Sequence, residues 1–321
     1  MLNFLDNPHL TAISHSFSQV VLLENKWSGF FILGAIYLSA PRLALLAVLA
    51  VVFSYLFASY LGYEKNKLNS GLYGFSPVLI GIAAGVFFTG IDSLIVCVLG
   101  CFLCLFLTPF INRQAEKNQL PGLTLPFIVT TWLLILLSGS NRLFFVPGVG
   151  SLYESMGEFS SELLLPDLLL KGFGEIFLLD DMSASIMILL SFLVAGWQKV
   201  TLVIAAALVS IFWGVLFGVD YQQLSLGMLT YNSILSFLAI DLFSVSDTTK
   251  ERIWLYGFTS LLTIILDLTL LGVLGTFGLP VLTFPFVLAT WSTLLFEKAW
   301  HQMPVKKKRK RITAKNVLVH E

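Results

Sequence analysis

The stretch Leu120-Pro-Gly-Leu-Thr-Leu-Pro-Phe127 returns 159 residues later as Leu279-Pro-Val-Leu-Thr-Phe-Pro-Phe286, in a chain that is otherwise almost continuously apolar. The match continues to Thr131-Trp132 and Thr290-Trp291 at the same offset, which compositional bias explains poorly. Upstream, Gly71-Leu-Tyr-Gly-Phe-Ser-Pro-Val-Leu79 aligns with Gly227-Met-Leu-Thr-Tyr-Asn-Ser-Ile-Leu235, at an offset smaller by three residues. Two diverged copies of one unit, with one small loop change between the echoes, account for both.

With 57% hydrophobic residues, 12% charged residues and a mean hydropathy of +0.87, the chain has too little polar surface for a soluble globule. It reads as an all-α integral membrane protein. The start, Met1-Leu-Asn-Phe-Leu-Asp-Asn-Pro, lacks the basic and apolar regions of a cleaved leader, so the first spans are expected to direct insertion. Five candidate spans fall in the first copy: Trp27 to Leu38, Leu43 to Leu61, Gly71 to Phe88, Ser93 to Phe110 and Thr124 to Ser138. Five more fall in the second: Ser183 to Trp197, Val200 to Val219, Ser225 to Phe243, Trp254 to Thr276 and Leu279 to Phe296. With a cytoplasmic N-terminus, sixteen Lys and Arg face inward and only Arg42, Arg142 and Lys171 face outward, a decisive positive-inside bias. We place the first repeat over residues 1–155, the second over 156–300 and a basic cytoplasmic tail over 301–321.

An odd number of crossings per copy makes the second copy enter from the opposite side, so the expected fold is ten transmembrane helices in two inverted five-helix repeats. Equivalent residues then meet near the bilayer centre, where transporters place their substrate sites. Each copy opens with a segment too short to span, at about residues 16–25 (Ser16 to Glu24) and about 168–179 (Gly172 to Asp180), which aligns Gln19 with Glu175. Roughly eight to twelve residues cover only about half of a ~30 Å hydrocarbon core, which makes these re-entrant half-helices. A helix that ends at membrane depth leaves carbonyls that only protein or a wet cavity can accommodate.

In the octets, Pro126 has no N–H for the Gly122 carbonyl and Pro285 none for that of Val281, so each span is expected to carry a freed acceptor beside Thr124 or Thr283. A kinked helix whose threonine bonds its own backbone is the bland alternative. Recurrence in two facing copies favours an oxygen-rich patch on the pathway. Cys97, Cys101 and Cys104 share one helical face and read as small packing residues, because no His or carboxylate accompanies them to make a metal or redox site. The tail Lys306-Lys-Lys-Arg-Lys-Arg311, placed after the last span, reads as an anchor to anionic membrane lipid and not as a nucleic-acid signal.

Taken together, the paired Leu-Pro-x-x-Thr-x-Pro-Phe motif, the Gly-Leu-Tyr-Gly-Phe segment and the Gln19 and Glu175 starts resemble the urea transporter family, from Gln19 to Trp291. The resemblance implies a channel-like protein with a continuous pore through each protomer, no cofactor, and a homotrimer. It puts Gln19 and Glu175 at the two ends of a narrow filter, as acceptors for urea amides. Phe75 with Leu79, and Tyr231 with Leu235, would wall flat slots; Thr124 and Thr283 would line the central constriction; Val20 and Ile176 would complete the apolar wall. Leu22 and Leu178 stand in the filter where bacterial members carry phenylalanine, and Tyr231 replaces another, which implies slots wider or more polar than usual.

Such a filter suits a small, planar, neutral solute with four N–H donors: oxygens take the donors in turn while apolar side chains clamp the flat faces. Short amides or ammonia are the alternative solutes. A proton-coupled mechanism would need Glu175, Asp241 or Asp267 to titrate, and Asp267 reads as a packing hydrogen-bond group. An intramembrane enzyme is disfavoured, since His9, His15, His301 and His320 all fall outside the spans and no H-E-x-x-H or nucleophile–base pair occurs. A scaffold would not explain duplicated midplane oxygens. Short loops and the lack of an N-x-Ser/Thr sequon fit a bacterial inner membrane.

Overall fold

The computed structural model describes residues 7–139 and 165–302; the boundary between residues 155 and 156, Arg142, and the tail beyond Gln302 lie outside the described residues. The described chain is helical, with no strand, and one order of seven helices runs twice. The first series is α1 Pro8–Ser18, α2 Lys26–Ser39, α3 Pro41–Tyr60, α4 Lys65–Asn69, α5 Phe75–Phe87, α6 Gly90–Lys117 and α7 Leu125–Gly139. The second is α8 Leu165–Glu175, α9 Met182–Ala195, α10 Trp197–Leu216, α11 Tyr221–Ser225, α12 Met228–Phe243, α13 Thr249–Gly275 and α14 Phe284–Gln302. Four helices, α3, α6, α10 and α13, combine 20 to 28 residues with hydropathies of 2.0 to 2.8. At 1.5 Å per residue they reach about 30 to 42 Å, enough to cross a hydrocarbon core. The protein is an integral membrane protein.

Which residues point inward follows membrane rather than aqueous rules. On α3, Ala44, Ala47, Ala50, Ser54 and Ala58 are buried against α5 and α6, while Leu45, Leu49 and Leu56 face outward. Small residues let helices approach where lipid offers no hydrophobic penalty to the leucines. Cys97, Cys101 and Cys104 belong to the same scheme: all three are buried on α6, and the Cys97 thiol donates to the Leu46 carbonyl at 3.7 Å. Pro109 lies inside α6, and the Leu105 carbonyl it leaves without an amide accepts the Tyr63 hydroxyl at 3.1 Å.

The duplication is written into the backbone. Leu22 and Leu178 both have φ of 56°, Gly62 and Gly218 have 74° and 68°, and Gly71 and Gly227 have 78° and 73°. These three pairs share one offset; Gln119 and Gly278 (57° and 65°) and Leu123 and Leu282 (49° and 52°) are three residues further apart. The extra residues lie in the α12–α13 connection, which is longer than its α5–α6 counterpart. A left-handed non-glycine residue costs roughly 1–2 kcal/mol, so its return at matched positions reflects an inherited turn. Caps repeat as well. Asn25 accepts the Trp27 amide at 2.9 Å to start α2, and Asp181 accepts the Ala184 amide at 2.7 Å to start α9.

Two expectations change here. The first half-helix does not begin near Ser16: α1 starts at Pro8, capped by Asn7, and continues as a 3-10 turn over Gln19–Val21. Asn-Pro is an N-cap followed by a first-turn proline, so the helix extends back through polar residues that hydropathy alone does not mark. Pro126 and Pro285 do not kink spans. Each is the second residue of its helix, where a missing N–H costs nothing, and the Gly122 and Val281 carbonyls still receive the amides of Leu125 (3.4 Å) and Phe284 (3.3 Å).

Equivalent helices also meet: α2 packs along α9, and α7 touches α14. Within each series the half-helix presses on the turn before the central helix. A Cβ on Gly71 would fall 2.5 Å from the backbone of His15 and Ser16, and one on Gly227 would fall 2.4 Å from that of Gly172. With positive φ as well, Gly71→Ala and Gly227→Ala should each cost about 2 kcal/mol or more. Gly272→Ala meets nothing within 4 Å and should be neutral or better. Thermal unfolding of detergent-purified variants, followed by fluorescence-detected gel filtration, checks this order.

Candidate solute pathway

The two octets meet. Thr124 and Thr283, each just before the first residue of its helix, share a hydroxyl–hydroxyl hydrogen bond of 2.7 Å, and both are 4% exposed. On either side the contacts are reciprocal: the Trp132 indole donates to the Pro280 carbonyl at 2.8 Å, and the Trp291 indole donates to the Pro121 carbonyl at 2.7 Å. Residue i of one copy touches residue j of the other and j touches i, the pattern that a two-fold axis produces. In the irregular Leu120–Leu123 and Leu279–Leu282 backbone, the Pro121 and Pro280 carbonyls are therefore satisfied by the opposite copy. A hydroxyl carries one donor and two acceptor sites, so the threonine pair keeps hydrogen-bonding capacity after its own bond is made.

The half-helix ends bring the next set. In the first copy the Leu22 and Leu23 amides fold back to Gln19 and Ser18, and in the second the Phe177, Leu178 and Leu179 amides fold back to Gly174 and Glu175. No donor among the described residues reaches the carbonyls of Val20, Val21, Ile176 or Phe177. Val20 and Ile176 are each 2% exposed, with Leu22 and Leu178 partly covered beside them. The Gln19 amide and the Glu175 carboxylate are partly buried, and neither side chain has a hydrogen-bond partner among the described residues.

Each half-helix end lies against the helix that carries the slot residues. The Gln19–Val21 turn packs on α5, home of Phe75 and Leu79, and α8 packs on α12, home of Tyr231 and Leu235. Leu79 and Leu235 are fully buried, Tyr231 is 6% exposed and Phe75 is partly open. The structure thus gathers Gln19, Val20, Leu22, Phe75 and Leu79 in one copy, Glu175, Ile176, Leu178, Tyr231 and Leu235 in the other, and joins the copies at Thr124 and Thr283. The two expected slot positions are not alike. Tyr231 donates its hydroxyl to the Leu282 carbonyl, so its extra polar atom is already engaged within the second copy.

Asp267 has a partner that sequence reading did not find. It is 5% exposed, and its Oδ1 accepts the Asn232 amide at 2.7 Å, which makes it the packing hydrogen-bond group expected. Asn232 was missed because Tyr231-Asn-Ser reads as a weak break in an apolar run; the signal was a buried amide on one helix and a lone carboxylate on the next. Asp241 lies among compensating charges, with Lys199 at 2.7 Å, Arg252 at 3.4 Å and the Tyr256 hydroxyl at 3.1 Å.

Comparison with known proteins adds an independent line. The sequence model described as Urea transporter matches residues 10–298. Urea transporter 1 of Capra hircus and Urea transporter 1 of Ovis aries are each 26% identical to the chain over 301 residues, covering 90% of it and 78% of the relative. The Rattus norvegicus Urea transporter 1 is 25% identical over 291 residues, covering 88% and 76%. A match that spans nearly every described helix and includes both octets leaves one conclusion: the chain belongs to the urea transporter family.

Proposed function

We propose that the chain is a passive, channel-like urea transporter, and that its pathway runs past the Thr124–Thr283 contact. The observation that carries this reading is the reciprocal meeting of the two octets, flanked in each copy by a half-helix end with open carbonyls. In this reading residues 1–155 and 156–300 are inverted five-span repeats, and 301–321 is a cytoplasmic tail. Two long-range hydrogen bonds support the alternation: Arg42 reaches the Phe88 carbonyl and Lys298 reaches the Asn118 carbonyl, each pair lying on one face if ten spans alternate. The charge bias then sets both termini inside, in a bacterial inner membrane, and family likeness supports a homotrimer. The chain acts as a transporter and not as an enzyme.

The chemistry follows from the solute. Urea offers N–H donors on both edges and no charge, so Gln19 and Glu175 would receive it at the two ends and open carbonyls and threonine oxygens would take over in turn. Phe75 with Leu79, and Tyr231 with Leu235, would hold its faces while Val20, Leu22, Ile176 and Leu178 keep the walls apolar. An ion would lose a hydration energy of tens of kcal/mol that such walls cannot repay. Leu22 and Leu178, smaller than phenylalanine, favour a second reading in which short amides or ammonia also pass.

Liposomes containing the purified protein should re-swell under a urea gradient far faster than empty ones, and the rate should ignore an imposed pH gradient. Urea flux equal to that of empty liposomes removes the reading; flux that follows the proton gradient replaces it with a coupled mechanism. Glu175→Ala should lower urea permeability by roughly tenfold at unchanged protein yield, as loss of a buried acceptor that leaves a solute donor unpaired, worth about 1–3 kcal/mol, implies. Light-scattering kinetics on the same liposomes measures it.

A further inference from the structure

The two copies share five left-handed turns and the Asn25 and Asp181 caps, and one buried cluster at which they part lies beside Tyr231. In the second copy the Leu282 carbonyl accepts both the Tyr231 hydroxyl and the Asn232 amide, the latter at 3.3 Å, and Asn232 is held in turn by Asp267 at 2.7 Å. In the first copy none of this can form. Phe75 has no hydroxyl, the Ser76 hydroxyl is buried with no partner, Thr108 bonds back to Cys104 on its own helix at 2.7 Å, and no donor among the described residues reaches the Leu123 carbonyl. Three coordinated replacements at equivalent positions build one network on one side only. The fold does not require it, because the first copy makes the same left-handed turn at Leu123 without it.

Building on the urea-channel reading, we propose that Asp267, acting through Asn232 and the Leu282 carbonyl, is a positioning residue that tethers the Tyr231 ring and makes its slot the rigid, selective half of the filter. A ring fixed at its hydroxyl end cannot tilt away from the solute, whereas Phe75 is held by packing alone. The cluster is buried, and although the Asn232 Oδ1 and Asp267 Oδ2 atoms have no hydrogen-bond partner among the described residues, the bonds from Tyr231 and Asn232 to Leu282 and from Asn232 to Asp267 link its members, so that cutting one frees the others. Asp267 shares a cavity with Tyr231, Leu268, Leu271 and Val281, which places the carboxyl group beside the ring it is proposed to hold. The rigid wall discriminates by thickness: urea is flat, and acetamide carries a tetrahedral methyl group.

The test compares urea and acetamide permeability in liposomes for wild type, Asp267→Ala, Asp267→Asn, Tyr231→Phe and the Asp267→Ala/Tyr231→Phe double variant. Asp267→Ala should lower the urea-to-acetamide ratio about fivefold, the worth of one lost hydrogen bond, chiefly by letting acetamide through. Asp267→Asn keeps an acceptor for Asn232 and should stay within about twofold of wild type. Tyr231→Phe should shift the ratio in the same direction, and the double variant should go no further than the larger single change, because both cut one tether. Should Asp267→Ala fail to fold, Asn232→Ser, which installs the first-copy residue, carries the same expectation. An unchanged ratio, or an equal fall for both solutes, overturns the tether while leaving the urea reading intact. Wild-type protein that does not carry urea removes the reading beneath it.

Discussion

Polar backbone with no water to receive it is the constraint around which this molecule is arranged. Helices that cross a membrane satisfy their own amides and carbonyls; helices that start or stop inside it do not. This chain stops two helices at Leu22 and Leu178 and starts two at Leu125 and Phe284, and contacts between the two copies satisfy part of the backbone left over. Trp132 and Trp291 cover the carbonyls of Pro280 and Pro121, and Thr124 and Thr283 cover each other. Among the described residues, Val20, Val21, Ile176 and Phe177 keep unclaimed carbonyls at the half-helix ends, as does Leu123 beside the threonine pair. A solute rich in N–H groups is the complement of that remainder.

Near-symmetry gives the proposed pathway two similar halves, and they differ at particular side chains. Gln19 stands where the second copy has Glu175, and Phe75 where it has Tyr231, whose hydroxyl is bonded to the Leu282 carbonyl. Glycines serve the symmetric part. Gly71 and Gly227 let each half-helix lie directly on the turn before α5 and α12, which fixes the distance between open carbonyls and slot walls. The asymmetric part rests on side chains alone, Asn232 and Asp267 against Ser76 and Thr108, so it could change without disturbing the scaffold.

Much of this was legible in the residues. The octet repeat, its upstream echo and the three-residue difference between them located the two copies and the loop that distinguishes them; the backbone shows the same difference as an α12–α13 connection longer than the α5–α6 one. Apolar runs marked each long helix because burial and lipid exposure leave the same hydropathy. Helix ends were less visible. Pro126 and Pro285 looked like kinks because a proline in an apolar run carries no sign of whether the helix has already begun; that is decided by Leu123 and Leu282 in left-handed turns, a conformation leucine does not announce. The Asp267–Asn232 pair was hidden for another reason: its partners lie 35 residues apart on different helices, joined only by packing.

The central claim is that the meeting point of the octets lies on the urea pathway, and a reversible bridge there tests it most directly. With Cys97, Cys101 and Cys104 replaced, a Thr124→Cys/Thr283→Cys variant should oxidise to an internal disulfide, since the two hydroxyls it replaces are 2.7 Å apart. Urea permeability in liposomes should then fall to the level of empty vesicles and return on reduction. A bridge that forms while urea continues to pass at the reduced rate would contradict the account.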